Sequence, residues 1–262
     1  MPRIAANLSM TFNEVPFLER FAAARGEGFE AVEFLFPYAY ERRQLADVVR
    51  AAGVKVALFN MPPGNWEGGE RGLAIDAARR GEFQDGVGAA IAYAKDLGCD
   101  RVHCMAGIRP AGADEARLRE VYVANLKFAA AELRKHGLEL LIEAINTRDI
   151  PGYYLTTTRQ AFDVIRDVDA PNLSFQFDIY HVQVMEGDLT PKLERHIAQI
   201  GHIQLADTPG RHEPGTGEIN YEFLFQRIDA IGYTGWIGCE YRPATTTLAG
   251  LGWARRWLRP SR

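Results

Sequence analysis

Short runs of alternating or continuous apolar residues recur along the chain. Each is followed by a longer segment whose apolar positions return every three or four residues. The first pattern predicts strands and the second predicts amphipathic helices. RIAANLS (3–9), AVEFLF (31–36), VKVALFN (54–60) and RVHCMAG (101–107) predict the first four strands. LELLIEA (138–144), LSFQFD (173–178), GHIQLAD (201–207) and WIGCEY (236–241) predict four more. Helical patterns fall at 16–28, 44–53, 81–98, 115–137, 158–168, 191–200 and 221–232, and a last one at 248–258 follows the final strand. Pro16 opens the first helix, and Gly53 and Gly137 stop two others, as the preferences of helix ends require. Eight strand–helix units in 262 residues predict an α/β chain folded as a (β/α)8 barrel, one domain over 1–262. A doubly wound open sheet is the rival. GVGAAI (86–91) argues against it, because it lacks the third glycine of a dinucleotide fingerprint and lies inside a helical pattern.

The strand ends change the picture from fold to chemistry. The fifth predicted strand ends at Glu143, the sixth at Asp178 and the eighth at Glu240, and the seventh carries Gln204 near its end. Consecutive positions in this series are one strand–helix unit apart. In a barrel the C-terminal strand ends meet at one face, where active sites sit. Any one of these residues alone reads as a helix cap or a solvated loop end. Four in register place three carboxylates and an amide in one mouth. Like charges that close repel unless a cation neutralises them. An all-oxygen set favours Mg²⁺ or Mn²⁺ over Zn²⁺. Four protein oxygens leave two positions of an octahedron for neighbouring substrate oxygens, which suggests an α-hydroxy-carbonyl compound.

Composition narrows the partners. The formal net charge is −4 and no Lys/Arg cluster stands out, so a nucleic-acid partner is not expected. Three cysteines without a C-x-x-C pair suit a reduced cytoplasmic protein and read as buried fillers. The apolar part of MPRIAANLSM is too short for a signal peptide, and no run reaches the roughly 20 apolar residues of a membrane span. The expected partner is a small molecule, with assembly into a homo-oligomer left open. The loop MPPGNWEGGERG (61–72) is long and rich in Gly and Pro, which marks it as functional or mobile. The four tryptophans read as core or rim packing.

ANLSM, VEFLFPY, GGERG, LIEAIN, DIPGYYLT, DIYH, EPGTGEINY, GWIGCEY and TTTLAGLGW carry a resemblance that runs from residue 6 to 253. The chain resembles the xylose-isomerase-like TIM barrel superfamily, and within it the hydroxypyruvate isomerase family. The resemblance implies metal ligation by Glu143, Asp178, Gln204 and Glu240, with Glu143 and Glu240 doubling as the acid/base pair. It implies that His181, in D-x-x-H, contacts a substrate oxygen. Many sugar epimerases of the superfamily have His where this chain has Gln204, which weakens a ketose 3-epimerase reading.

The implied activity is metal-assisted aldose–ketose isomerisation of hydroxypyruvate to tartronate semialdehyde through an enediolate. Three carboxylates and one divalent ion sum to a net negative charge, and the substrate is itself an anion. A cation should therefore hold its carboxylate. Arg211, in DTPGRHEPGTGEIN, is the first choice, because a guanidinium grips a carboxylate at two points. His181 is the second choice. Glu70 or Arg71 of the 61–72 loop is expected to approach the substrate. The alternatives are a 2-oxo-tetronate isomerase, a ketose 3-epimerase, and a barrel that binds a sugar acid without turnover. A metal-dependent AP endonuclease would need a histidine-rich zinc cluster and a basic groove. The six histidines are scattered and the charge is negative.

Overall fold

In the computed structural model, which describes residues 2–258, eight parallel strands close into a barrel in sequence order, with β1 paired to both β2 and β8. The strands are β1 (Arg3–Asn7), β2 (Ala31–Phe34), β3 (Lys55–Asn60), β4 (Arg101–His103), β5 (Glu139–Glu143), β6 (Leu173–Asp178), β7 (Ile200–Leu205) and β8 (Trp236–Cys239). The helices are α1 (Phe17–Gly26), α2 (Arg42–Ala52), α3 (Arg80–Leu97), α4 (Glu115–Arg134), α5 (Thr158–Val168), α6 (Ile179–Met185), α7 (Leu189–His196), α8 (Tyr221–Ala230) and α9 (Thr247–Gly250). Among the described residues no helix is long and apolar enough to cross a membrane.

Local signals set the boundaries. Gly53 and Gly98 end α2 and α3 in the left-handed conformation, which glycine adopts without a Cβ penalty. The side chains of Asp114 and Thr157 accept N–H bonds at the starts of α4 and α5. The predicted β5, β6 and α5 boundaries match to within a residue. Two expectations need correction. The predicted fourth strand, 101–107, keeps ladder pairing only through His103. The pattern also left 179–190 without an element, whereas α6 begins at Ile179 directly after β6.

The barrel interior is filled in layers. At its lower end Trp236 packs with Ala5, Ala31 and Ala57, one large ring on three small side chains. Above this plug the filling turns polar. Glu33 of β2 reaches across to β7, 2.6 Å from His202 Nε2, and also accepts from Asn7 and Gln204. Gly238 makes room for it, because a Cβ there would lie 2.1 Å from Glu33 Oε2. The outer surface of the barrel buries Val32, Val56, Phe59, Leu140, Phe175 and Ile203 beneath the helices.

Candidate active site

Strand register places the chemistry. Glu143 pairs with Gln176, Gln176 with His202, Asp178 with Gln204, and Gln204 with Gly238. Glu240 follows β8 directly. Glu143, Asp178, Gln204 and Glu240 are all buried at the C-terminal end of the barrel. Glu143 and Glu240 line a cavity of about 970 Å³, together with His181, Arg211, Trp66 and Arg71.

Asp178 has two tasks. Its Oδ1 accepts from the backbone N–H of Tyr180 at 2.8 Å and so starts α6. Its Oδ2 is buried without a hydrogen-bond partner, and so is Oε1 of Glu143. Asp178, Glu143 and His181 each offer a ligand atom within 4.8 Å of the others. Orphaned buried carboxylate oxygens are costly without a positive partner. The two carboxylates of this group fit a divalent metal. Burial raises the pKa of Glu143, and Glu240 and Asp178 raise it further. Burial likewise lifts Glu240 to about 8, against the pull of Arg211. It lifts Asp178 to about 6, again opposed by Arg211.

His181 is fixed by Asn146. The backbone N–H of Asn146 donates to Nδ1 at 3.3 Å, and its side-chain nitrogen lies 2.6 Å from the same atom. The two Asn146 nitrogens on Nδ1 outweigh the single Arg211 Nη2 that lies 3.3 Å from Nε2, so Nδ1 carries the lone pair and the proton sits on Nε2. Burial lowers the pKa well below the usual histidine value, and Arg211 and His103 lower it further, so the ring is neutral. Nε2 lies 3.5 Å from Asp178 Oδ2 and 3.8 Å from Glu143 Oε1. A protonated nitrogen is a donor and not a metal ligand, so within this group the carboxylates are the ligand candidates.

Arg211 stands over the carboxylates. Its Nη2 is 3.5 Å from Glu240 and 3.7 Å from Asp178, and its Nη1 donates to Asp149 at 3.1 Å. Burial opposes its charge, but Glu240, Asp178 and Asp149 outweigh this and raise its pKa. Arg211 has a φ of 55°, a region few residues with a side chain enter. The loop is held by Asp207, whose carboxylate accepts N–H bonds from Thr208, Gly215, Gly217 and Ile219. Strain held this way marks functional positions.

Gln204 lies between layers. Its Oε1 accepts from Gln176 at 2.6 Å and its Nε2 donates to Glu33 at 2.8 Å. One lone pair of Oε1 is thus already used. Glu70 is not among the cavity-lining residues. Its carboxylate instead accepts from Asn65 N–H and pairs with Arg79, tying the 61–72 loop together. Arg71 takes the position at the mouth, its guanidinium 3.9 Å from the ring of Trp66. At Gly72 a Cβ would lie 2.2 Å from Met105 O, so the loop can sit this low only with glycine there.

Five residues escaped the sequence reading: Glu33, His103, Asn146, Asp149 and His202. Glu33, His103 and His202 are polar residues within strands, where they look like a solvated face. Gly238 inside a strand was an available signal that a group approaches closely.

A profile of the xylose isomerase-like TIM barrel family matches residues 21–260. A 2-oxo-tetronate isomerase of Cupriavidus necator is 53% identical over 98% of this chain and 99% of its own. A hydroxypyruvate isomerase of Escherichia coli is 50% identical over 100% of both chains. A crystal structure from Brucella melitensis titled AP endonuclease, family 2, superposes with a TM-score of 0.97 at 44% identity, covering 99% of this chain and 100% of that one. Among the described residues, the only group of three or more His, Cys, Asp and Glu side chains close enough to share a metal ion is Glu143, Asp178 and His181, not a histidine-rich cluster.

Proposed function

The chain belongs to the xylose isomerase-like TIM barrel family, and we propose that it isomerises hydroxypyruvate to tartronate semialdehyde. The observation that carries this reading is the convergence of the buried Glu143 and Glu240 on one cavity beside His181 and Arg211. The E. coli relative, a hydroxypyruvate isomerase matched over the whole chain, supports the substrate.

The reaction moves one hydrogen from C3 to C2 and one hydroxyl proton from the C3 oxygen to the C2 oxygen. One glutamate carboxylate removes the C3 hydrogen as a proton, and the second carboxyl group returns a proton to C2. Burial strengthens both as bases, which removal of a carbon-bound proton requires. His181 donates its Nε2 proton in a hydrogen bond to the substrate oxygen that gains charge in the enediolate. Arg211 holds the substrate carboxylate through its paired N–H groups. Trp66 and Arg71 of the 61–72 loop form part of the cavity wall. Glu143, Asp178, Gln204 and Glu240 would hold a divalent metal, with Mg²⁺ or Mn²⁺ favoured by hard oxygen donors. Such an ion supplies Lewis acidity to the reacting oxygens.

A second reading, isomerisation of 2-oxo-tetronate, is favoured by the cavity volume of about 970 Å³, which readily admits a fourth carbon. The test is a panel of hydroxypyruvate, 2-oxo-tetronate and free ketoses, with Mg²⁺ or Mn²⁺, read by product identity. Tartronate semialdehyde as the fastest-formed product supports the proposal. Turnover confined to inversion at C3 of ketoses overturns it.

A further inference from the structure

We infer that His103 contacts the substrate and reads a hydroxyl group, acting as the hydrogen-bond acceptor opposite the donor His181. This rests on the isomerase reading of the cavity and adds a determinant of which ligands the cavity accepts.

His103 ends β4, is 1% exposed, and lines the cavity. Its Nδ1 lies 3.2 Å from Oδ1 of Asn60. A carboxamide oxygen only accepts, so Nδ1 carries the proton and Nε2 the lone pair. That Nε2 is buried and has no partner. It sits 3.7 Å from Glu143 Oε2.

His181 has the opposite tautomer, with its proton on Nε2, 3.8 Å from Glu143 Oε1. Two imidazoles thus flank the two oxygens of one carboxylate. One presents an acceptor and the other a donor. A compound with a hydroxyl and a carbonyl on neighbouring carbons presents the complementary pair. A keto acid without the hydroxyl satisfies His181 and leaves His103 Nε2 desolvated and unpaired. Sites with such buried polar groups reject ligands that lack the matching group. His103 is therefore a specificity residue, distinct in role from the two glutamates.

The test uses metal-loaded protein and two unreactive acids, glycerate and lactate, which differ only in the C3 hydroxyl. Each is measured as a competitive inhibitor of turnover. Wild-type protein should prefer glycerate by roughly tenfold or more, the scale of one well-placed hydrogen bond. His103→Phe should bring that preference close to unity. His103→Gln, which restores an acceptor oxygen, should recover part of it. His181→Ala should weaken both acids alike.

A second measurement needs no variant. In ¹⁵N-histidine-labelled wild-type protein, His103 Nε2 should show the resonance of an unprotonated nitrogen, which shifts on addition of glycerate and not of lactate. An unchanged preference in folded His103→Phe, or a protonated Nε2 in the ligand-free protein, overturns the inference. Failure of wild-type protein to convert any α-hydroxy-carbonyl acid would instead overturn the isomerase reading beneath it.

Discussion

Nδ1 of His181 accepts from the backbone N–H of Asn146 at 3.3 Å and stands 2.6 Å from its side-chain nitrogen, which fixes the His181 proton on Nε2, facing Asp178 and Glu143. Asn146 lies three residues beyond the end of β5 and His181 in the first turn of α6, so two adjacent βα connections set one tautomer. If this donor serves the substrate and not a metal, His181→Ala should leave metal affinity unchanged. It should lower kcat by about 10²–10³-fold, as for loss of one oriented donor. Metal titration by calorimetry beside steady-state kinetics checks both halves. A parallel loss of metal affinity would make His181 a ligand.

Asp178→Asn should behave in the opposite way. It removes a charge from the metal shell and keeps an oxygen to cap α6. Metal affinity should fall by roughly 10–100-fold, and excess Mg²⁺ or Mn²⁺ should restore part of the rate. EDTA should abolish wild-type activity and either ion should return it. Full activity after exhaustive chelation would end the metal assignment.

Arg211→Ala tests the carboxylate clamp. Loss of a buried charge partner should cost about 2–5 kcal/mol in kcat/KM, most of it in KM. The same change removes the cation beside Asp178 and Glu240, so their carboxyl pKa values should rise further. Unchanged kinetics would move the clamp to His181 or to Arg71, which also lines the cavity.

The raised carboxyl pKa values predict a pH dependence with a definite sign. Glu240 is lifted from 4.5 to about 8, so the folded, metal-free protein holds a proton that the unfolded chain releases. This contribution to stability is complete below the unfolded value and is lost as pH rises through the folded one. The Tm of metal-free protein should therefore fall between about pH 5 and pH 8, and less so for Glu240→Gln. Metal must displace these protons, so its affinity should rise over the same window, with measurable proton release. A Tm difference between the two proteins that stays constant with pH would contradict the assignment.

Strand periodicity, glycine stops and helix caps are local signals, which is why the barrel and the strand-end residues Glu143, Asp178, Gln204 and Glu240 were legible in the sequence. The helix α6 was not, because its seven residues mix polar and apolar types and its start depends on the Asp178 side chain. Glu33 and His202 stand 169 positions apart and meet only when the barrel closes. The partners of Glu70 were not legible for a related reason. Sequence proximity to Arg71 said nothing of the turn that brings Arg79 to its carboxylate.

Glu240, with Glu143, is assigned the proton transfer between C3 and C2 of hydroxypyruvate. The most direct measurement is NMR of hydroxypyruvate incubated in D₂O with metal-loaded wild-type protein and with Glu240→Gln, which keeps an oxygen for the metal and removes the base. Wild-type protein is predicted to form tartronate semialdehyde carrying deuterium at C2. Glu240→Gln should bind metal and lose both isomerisation and exchange, with kcat down by about 10²–10⁴-fold. Turnover by Glu240→Gln at the wild-type rate would rule out its role as base and leave Glu240 only a ligand.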